Sequence, residues 1–198
     1  MGGGRAMQIN LDFIKDEKIG DFSVETLTIS PNDAELHNLR CKINKRPEQV
    51  VEAGTFKVLK ENGHIWMSNT LMEVATHQQA IKKAKGNVLV AGLGLGMFLT
   101  AIKDKKEVKK ITVIENSQEV IELIGKYYQD EKIQIINEDI CDFSTDEKFD
   151  LIWLDIWATI SRDNLEEMDL LRRKFSKNSK NILCWSEEIF RKELREDV

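Results

Sequence analysis

A short apolar run that ends in closely spaced glycines constrains this chain more than any other segment. The run from Asn87 to Ala91 has the length and composition of a buried strand, and Gly92, Gly94 and Gly96 follow it in Gly-x-Gly-x-Gly spacing. Glycines let a backbone turn sharply and approach a ligand, and the free N–H groups at the start of a helix attract negative charge. The segment therefore predicts a strand, a ligand-binding turn and a helix.

A second apolar strand follows the glycines and ends in an acidic residue. Residues 110–114 form this strand, and Glu115 comes directly after it, 19 residues beyond Gly96. An acidic residue about 20 residues past such a glycine turn, at the tip of the second strand, is where the ribose hydroxyls of a nucleotide are bound. The combination predicts a nucleoside cofactor with Glu115 at its ribose.

Composition excludes several classes of protein. The chain of 198 residues suits one domain with a small appended subdomain, and its net charge of -5 argues against a general binder of nucleic acid phosphates. No apolar run reaches the roughly 18 residues of a membrane span, and the N-terminus lacks the apolar core of a signal peptide. The three cysteines are scattered and have no zinc-like spacing. We therefore expect a cytoplasmic protein without a metal, nucleic acid or membrane partner.

The chain divides into three segments. Residues 1–6 resemble a flexible leader, residues 7–68 a β-rich subdomain with a hairpin, and residues 69–198 a cofactor-binding domain. Within the subdomain, apolar alternation predicts strands near 9–13 and 22–29, and Asn62-Gly63 predicts the hairpin turn. Ser30-Pro31 is a helix start, and this helix would have an apolar stripe formed by Leu36, Leu39 and Ile43.

From Asn87 onward, strand and helix alternate. The pattern predicts strands at 87–92, 110–115, 133–137, 149–154 and 181–185, and helices near 97–104, 117–128, 163–175 and 187–195. A further helix, predicted at 71–83, precedes the first of these strands. Such alternation implies a parallel sheet with crossover helices, although the crossover from Asp142 to Lys148 is too short for much of a helix. The sequence stops soon after the fifth strand, so a sheet edge would either support a homodimer or be covered by the N-terminal strands.

The position of the third glycine distinguishes two classes of cofactor. A dinucleotide fold requires Gly-x-Gly-x-x-Gly, whereas the third glycine here is Gly96 and Met97 follows it. The Gly-x-Gly-x-Gly spacing resembles the first motif of class I S-adenosylmethionine (SAM)-dependent methyltransferases. The resemblance implies a Rossmann-like parallel-sheet methyltransferase fold, truncated at the C-terminus, with a small N-terminal β subdomain. It also implies that Asp139 accepts the adenine amine, that Ile140 donates its backbone N–H, and that Asp155 belongs to the fourth motif.

The segment before the glycines resembles two families with small acceptors. Residues 63–68, Glu73 and His77 are similar to the hairpin and helix of spermidine synthases, which transfer aminopropyl from decarboxylated SAM. Residues 66–73, together with Leu154-Asp155-Ile156, are similar to motifs of guanidinoacetate-type methyltransferases. Both resemblances imply a small-molecule acceptor with an amine or guanidine group.

The candidate acceptor residues follow from the chemistry of an amine. An amine is protonated at neutral pH, so a group must hold the ammonium and receive its proton. A carboxylate does both, and Asp155 is the candidate. Glu73 is either a second catalytic carboxylate, a cofactor contact or a solvated helix residue, and His77 is expected to be a packing or hydrogen-bonding residue. Trp157 and Trp66 are candidate substrate contacts, as aromatic faces attract cations.

Three functions remain open from the sequence. The first is methyl transfer from SAM to an amine or guanidine, and the second is spermidine synthase-like aminopropyl transfer from decarboxylated SAM. The third is a catalytically silent relative that keeps the fold and the ligand, because several acceptor-site residues of the spermidine synthases have no counterpart here.

Overall fold

Two separate β-sheets organise the part of the chain that the computed structural model describes, which comprises residues 7–44, 50–158 and 164–187. The first sheet has four antiparallel strands and the second has five parallel strands. The predicted α/β class is therefore confirmed. The leader at 1–6 and most of the helix predicted at 187–195 lie outside the described residues.

The N-terminal sheet consists of two hairpins joined through one helix. Its strands are β1 (Glu17–Ile19), β2 (Phe22–Ile29), β3 (Gly54–Glu61) and β4 (His64–Ser68), in that spatial order. Asn62 and Gly63 between β3 and β4 have φ angles of 50° and 82°. Two consecutive positive φ angles give a turn whose twist matches that of the flanking strands, so the predicted hairpin is confirmed.

Two helices flank β3 and β4. Helix α1 (Pro31–Ile43) begins where Ser30-Pro31 predicts, because the Ser30 hydroxyl accepts the Asp33 N–H at 3.1 Å. Helix α2 (Leu71–Lys83) follows β4 after two residues and has a buried face that includes Val74, His77 and Ile81. This face packs beneath the parallel sheet's carboxyl edge, which brings His77 toward the loops described below.

The parallel sheet carries the pattern predicted from Asn87 onward. Its elements are β5 (Gly86–Ala91), α3 (Met97–Ile102), β6 (Val108–Glu115), α4 (Gln118–Ile124), a 3₁₀ turn (Gly125–Tyr127), β7 (Ile133–Asn137), β8 (Leu151–Leu154), α5 (Asn164–Phe175) and β9 (Ile182–Cys184). The strand order is β7-β6-β5-β8-β9. After β7 the chain crosses to the other side of β5 and forms β8, so the order in which strands are added reverses between β5 and β8. Ligands bind at such a switch point in open parallel sheets. This is a Rossmann-like fold.

Burial on both faces explains the apolar composition of the central strands. Every residue of β8 and the last four residues of β5 are buried. Two apolar clusters cover the sheet, one beneath the N-terminal elements and α2 to α4, and the other beneath α5. Central strands of a parallel sheet have helices on both faces, so they read as continuous apolar runs rather than as alternation.

Three expectations for the N-terminal segment are wrong. Residues 9–13 form no strand, although Ile9 and Leu11 are buried as their alternation predicts. The stripe of Leu36, Leu39 and Ile43 is 50–71% exposed, because α1 packs through Ala34 and Cys41 instead. The N-terminal strands also form their own sheet, so they do not pair with an edge of the parallel sheet.

The N-terminal sheet contacts the parallel domain mainly through α4 and the turn after it. The rings of Phe13 and Tyr127 meet edge to face with centroids 5.9 Å apart, and Lys126 pairs with Glu17. Gly20, in the β1–β2 turn, lies against Glu119. These contacts place one face of the N-terminal sheet over the carboxyl ends of the parallel strands. The division of the chain between residues 68 and 69 stays a prediction.

Candidate functional site

A cleft of about 330 Å³ lies between the N-terminal sheet and the carboxyl edge of the parallel sheet. The loops after β5, β6, β7 and β8 form its floor, while β2, β3 and β4 form its wall. Its polar and charged lining residues are Glu61, Glu73, His77, Glu115, Asn116, Ser117, Glu119, Glu138 and Asp155. Six of these are carboxylates, and no Lys or Arg lines the cleft among the residues that the structure describes.

The glycine loop leaves β5 at the centre of the cleft and requires glycine at each of the three motif positions. Gly92, Gly94 and Gly96 have φ angles of 93°, 50° and 67°, in the region that disfavours side chains. A Cβ on Gly92 would collide with the backbone oxygen of Asp155, and one on Gly94 would collide with the sulfur of Met67. Gly92 and Gly94 line the cleft, whereas Gly96 begins α3.

Two side chains from outside the motif fix this loop. The Tyr128 hydroxyl lies 2.9 Å from the Gly96 carbonyl oxygen and 2.8 Å from Thr100 Oγ1. Burial raises the pKa of Tyr128 to about 12, so the phenol stays a neutral donor. From the opposite side, Met67 Sδ accepts the Leu95 N–H at 3.0 Å. Met67, from the β3–β4 hairpin, therefore covers the glycine loop at the Leu95 N–H, next to Gly94.

Glu115 ends β6 beside the glycine loop, as predicted. Its Oε2 accepts the Leu93 N–H and its Oε1 accepts the Ser117 N–H, both at 2.8 Å. Burial raises the pKa of Glu115, while the backbone N–H groups that bond its carboxylate act in the opposite direction. Glu115 lines the cleft, where its carboxylate oxygens can accept a ligand hydroxyl.

The loop after β7 brings different residues to the cleft than the sequence indicates. Glu138 and Ile140 line it, whereas Asp139 is exposed and absent from the lining. The Asp139 carboxylate instead accepts the Cys141 N–H at 2.7 Å, which stabilises the turn that follows. The chain bends at Glu138 and turns at Ile140, and the Asp139 carbonyl oxygen accepts the Asp142 and Phe143 N–H groups of this turn. The adenine contact of Asp139 stays a prediction.

Glu73 enters the cleft from the first turn of α2. Its Oε2 accepts hydrogen bonds from the Ser68 N–H at 2.8 Å and the Ser68 hydroxyl at 2.7 Å. Burial raises the pKa of Glu73 to about 7, against the opposing effect of these two bonds. Glu73 is thus a half-buried cleft carboxylate rather than a solvated helix residue.

His77 lies one turn further along α2 and pairs with Asp155, the residue after β8. His77 Nε2 is 2.8 Å from Asp155 Oδ2, and the imidazole is only 1% exposed. Its Nδ1 is 2.9 Å from the Glu73 carbonyl oxygen. Burial lowers the pKa of His77, but the charge and hydrogen bond of Asp155 outweigh it, and the net shift is upward.

The tryptophans occupy two kinds of environment. Trp66, Trp157 and Trp185 line the cleft, and Trp66 is 40% exposed. The Trp157 indole N–H donates to Glu167 at 2.7 Å and that of Trp185 to Thr76 at 3.0 Å, which fixes both rings. Trp153 is buried, with its ring packed between Phe98 and His77.

The structure therefore brings most of the predicted site residues to one cleft. Those that line it are Trp66, Glu73, Gly92, Gly94, Glu115, Ile140, Asp155 and Trp157. Sequence reasoning missed Met67, Tyr128 and Glu138, and it did not pair His77 with Asp155. The four-residue spacing of Glu73 and His77 on one helix face was the available signal for His77, since two polar residues on the buried stripe of α2 need partners.

Comparisons with known proteins find only low similarity. No protein-family model and no curated protein matches the chain. DhpI bound to SAM and HEP is 16% identical, with 63% of this chain and 59% of that one covered and a TM-score of 0.45. Coclaurine N-methyltransferase bound to N-methylheliamine and S-adenosyl-l-homocysteine (SAH) is 19% identical, with 57% of this chain and 34% of that one covered and a TM-score of 0.44.

A third solved structure is the N-methyltransferase NodS from Bradyrhizobium japonicum WM9 in complex with SAH. It is 24% identical, with 52% of this chain and 56% of that chain covered and a TM-score of 0.40. The chain spans 34–59% of the length of these three structures. At such similarity the assignment of a Rossmann-like fold rests on the strand order and crossovers of the chain itself.

Two further observations concern membranes and metals. Within residues 7–44, 50–158 and 164–187, no helix has the length and apolarity to cross a membrane. The same residues contain no group of three or more His, Cys, Asp or Glu side chains placed to hold a metal ion.

Proposed function

We propose that this chain is a SAM-dependent methyltransferase whose acceptor is a small molecule with a cationic amine or guanidine group. The observation that carries the proposal is the composition of the cleft, where the glycine loop and Glu115 meet five further carboxylates and no described Lys or Arg. Both a sulfonium cofactor and an ammonium acceptor are cations. A cleft lined by one sign of charge concentrates ligands of the opposite sign.

The residues present fit SAM as a cofactor. Gly92 and Gly94 line the cleft without side chains, so the backbone of the loop can approach a ligand closely. Glu115 would bind the ribose through its carboxylate, and Gly92, Gly94 and Gly96 would shape the loop around the methionine tail. Ile140 would donate its N–H to the adenine, and Asp139 is the proposed partner of the adenine amine.

The chain's own contribution to methyl transfer is alignment and removal of one proton. When bound, SAM supplies an electrophilic methyl carbon, and the bond from that carbon to sulfur breaks as the acceptor nitrogen forms its own. Asp155 would hold the acceptor ammonium and take the proton that frees the nitrogen lone pair. Glu73 lines the cleft and has a pKa of about 7, so it would serve as the second catalytic carboxylate. Trp157 and Trp66 would enclose the acceptor and exclude water.

Calorimetric titration tests the cofactor. We expect binding of SAM and SAH and no binding of NAD. Glu115→Ala should weaken SAH binding by about 10- to 100-fold, the range for hydrogen bonds to a charged group. Glu115→Gln is the matched control because its amide oxygen still accepts one of the two backbone N–H groups. Unchanged affinity in Glu115→Ala, in a protein that remains folded by circular dichroism, would remove Glu115 from the site.

Methyl transfer itself is tested by release of SAH from SAM in the presence of primary amines and guanidines. Turnover with at least one cationic acceptor, lost in Asp155→Asn, is the expected result. Tight binding of SAM with no turnover across the set would contradict methyl transfer and support the silent relative.

Aminopropyl transfer is the second candidate, and one observation favours it. Intact SAM carries a carboxylate, and the described lining has no Lys or Arg to pair with that group. Decarboxylated SAM has no such requirement. Binding of decarboxylated SAM at least tenfold tighter than SAM in the same calorimeter would transfer the assignment to a spermidine synthase-like reaction.

A further inference from the structure

His77 has both ring nitrogens facing oxygen atoms, inside a chain of hydrogen bonds that begins at Trp185. The Trp185 indole donates to Thr76 Oγ1 at 3.0 Å, and the Thr76 hydroxyl donates to the Glu73 carbonyl oxygen at 2.6 Å. Thr76 therefore uses its only hydrogen on the carbonyl. Although Thr76 Oγ1 also lies 3.1 Å from His77 Nδ1, it has no hydrogen left to donate there.

The proton positions on His77 follow from this arrangement. A carbonyl oxygen only accepts, so the Nδ1 of His77 must carry a hydrogen and donate it to Glu73 at 2.9 Å. Nε2 then faces Asp155 Oδ2 at 2.8 Å. A neutral imidazole with hydrogen on Nδ1 has no hydrogen on Nε2, so the contact with a carboxylate requires one more proton. That proton makes His77 an imidazolium beside an ionised Asp155.

The charges around the ring are compatible with a buried cation. The titratable side chains that face it are Glu73, on the same helix, and Asp155, after β8; the Trp153 ring packs against it at a centroid distance of 5.3 Å. With 1% of the His77 side chain and 17% of the Asp155 side chain exposed, solvent screens the pair weakly. A buried ion pair with its remaining hydrogen-bonding atoms satisfied is the condition under which such a pair persists.

We propose that His77 is a positioning residue for the acceptor reaction, clamping Asp155 through Oδ2 so that Oδ1 is held ready for the acceptor. Among the described residues, no donor bonds Asp155 Oδ1. The acceptor ammonium gives one proton to Oδ1, its nitrogen keeps the electron pair, and the proton leaves to solvent through the cleft. Since Nδ1 is anchored to the backbone of α2, the carboxylate cannot rotate without breaking the ion pair. The inference rests on the proposed function.

Ring nitrogen NMR tests the clamp without knowledge of the natural acceptor. The chain has three histidines, so a long-range ¹H–¹⁵N spectrum of the rings resolves each one. At pH 7 we expect both nitrogens of His77 to be protonated in the wild type, and only Nδ1 in Asp155→Asn. A wild-type His77 with hydrogen on Nε2 alone would overturn the proposal.

A cation titration then separates a positioning role from an internal ion pair. With SAH bound, n-butylammonium chloride should shift the His77 Nε2 resonance in the wild type and leave it unchanged in Asp155→Asn. Exposed His64 is the internal control and should not respond in either protein. His77 unresponsive with SAH bound would overturn the positioning role while leaving the cofactor assignment intact.

Two variants complete the test. His77→Gln, whose amide N–H can replace the Nε2 donor, should keep SAH affinity within about threefold and retain the response of the Asp155 carboxylate ¹³C resonance to n-butylammonium. His77→Leu should lose that response with SAH affinity equally unchanged. If the wild-type protein does not bind SAH in the calorimeter, the proposed function itself has failed. That outcome is distinct from loss of the positioning role, which leaves SAH binding intact.

Discussion

The two sides of the cleft are held together by different kinds of interaction. On the proposed cofactor side, Glu115 bonds the backbone N–H groups of Leu93, in the glycine loop, and Ser117, just after its own strand. On the proposed acceptor side, His77 and Asp155 form a side-chain pair between residues 78 positions apart. The first side depends on backbone geometry that a motif specifies, and the second depends on how α2 docks against β8. Substitutions should therefore act on the two sides through different physical causes.

The largest effect should come from adding a side chain to the glycine loop. Gly92→Ala places a Cβ at a φ of 93° and against the backbone oxygen of Asp155, which cannot move aside without disturbing β8. We expect a loss of about 3 kcal/mol in the free energy of unfolding, measured by urea denaturation, because conformational strain and a backbone collision add.

Gly63→Ala is the matched control for Gly92→Ala. Gly63 has a φ of 82° with nothing within 4 Å of an added Cβ, so it tests strain without collision. We expect a loss of about 1 kcal/mol there. Equal losses in the two variants would show that the close approach of the loop to Asp155 contributes nothing.

The second effect should be a dependence of stability on pH that originates at Glu73. The pKa of Glu73 rises from 4.5 to about 7 on folding, so the unfolded chain releases this proton first and stability falls as pH increases from about 4.5 to 7. The raised pKa of His77 acts in the same direction above pH 6.5, where the unfolded imidazole has lost its proton.

Glu73→Gln should remove the contribution of Glu73 to this slope. Relative to the wild type, Glu73→Gln should gain at most about 3 kcal/mol in the free energy of unfolding between pH 4 and pH 8. Thermal or urea unfolding at a series of pH values measures this gain. Glu131→Gln, at an exposed position, is the control and should follow the wild-type curve. A wild-type stability that rises between pH 5 and 7 would contradict the raised pKa of Glu73.

The third effect concerns the hairpin side chain that covers the glycine loop. Met67 Sδ accepts the Leu95 N–H at 3.0 Å, a group that the amino-acid tail of the cofactor would use. Met67→Ala should strengthen SAH binding by about two- to tenfold in calorimetry, the range for one neutral hydrogen bond. Met72→Ala, half-exposed on α2 and outside the cleft, should leave SAH binding unchanged. Weaker binding in Met67→Ala would mean that the thioether supports the ligand rather than competing with it.

The smallest effect should come from Ser68→Ala, and it should appear only at high pH. The variant removes the hydroxyl that donates to Glu73 Oε2 at 2.7 Å and keeps the backbone N–H. We expect a loss of about 1 kcal/mol at pH 8, where Glu73 is ionised, and much less at pH 5. Ser179→Ala, at another buried serine far from the cleft, is the control for general packing effects. Equal losses of stability at both pH values in Ser68→Ala would show that the hydroxyl acts by packing alone.

Local sequence predicted the elements well where their signals are local. Helix α2 and strand β7 have the predicted bounds, and the Asn62-Gly63 turn has the positive φ angles that those residues favour. The failures lie where an apolar pattern has more than one use. Ile9 and Leu11 alternate and are buried, yet they enter the core from an irregular segment. Leu36 and Leu39 form a helical stripe that the sheet does not cover, since α1 packs through smaller side chains.

For the candidate site, the sequence by itself determined the glycine loop, Glu115 at the tip of β6 and Asp155 after β8. Each follows from a turn or a strand end, whose position is fixed by residues a few places away. Only the tertiary structure decided that Glu73 enters the cleft half-buried, that His77 bonds Asp155, and that Glu138 rather than Asp139 lines the cleft. The first two facts depend on the angle at which α2 and the N-terminal sheet pack on the parallel sheet. That angle is set by many weak contacts summed over the whole interface, which no short motif encodes.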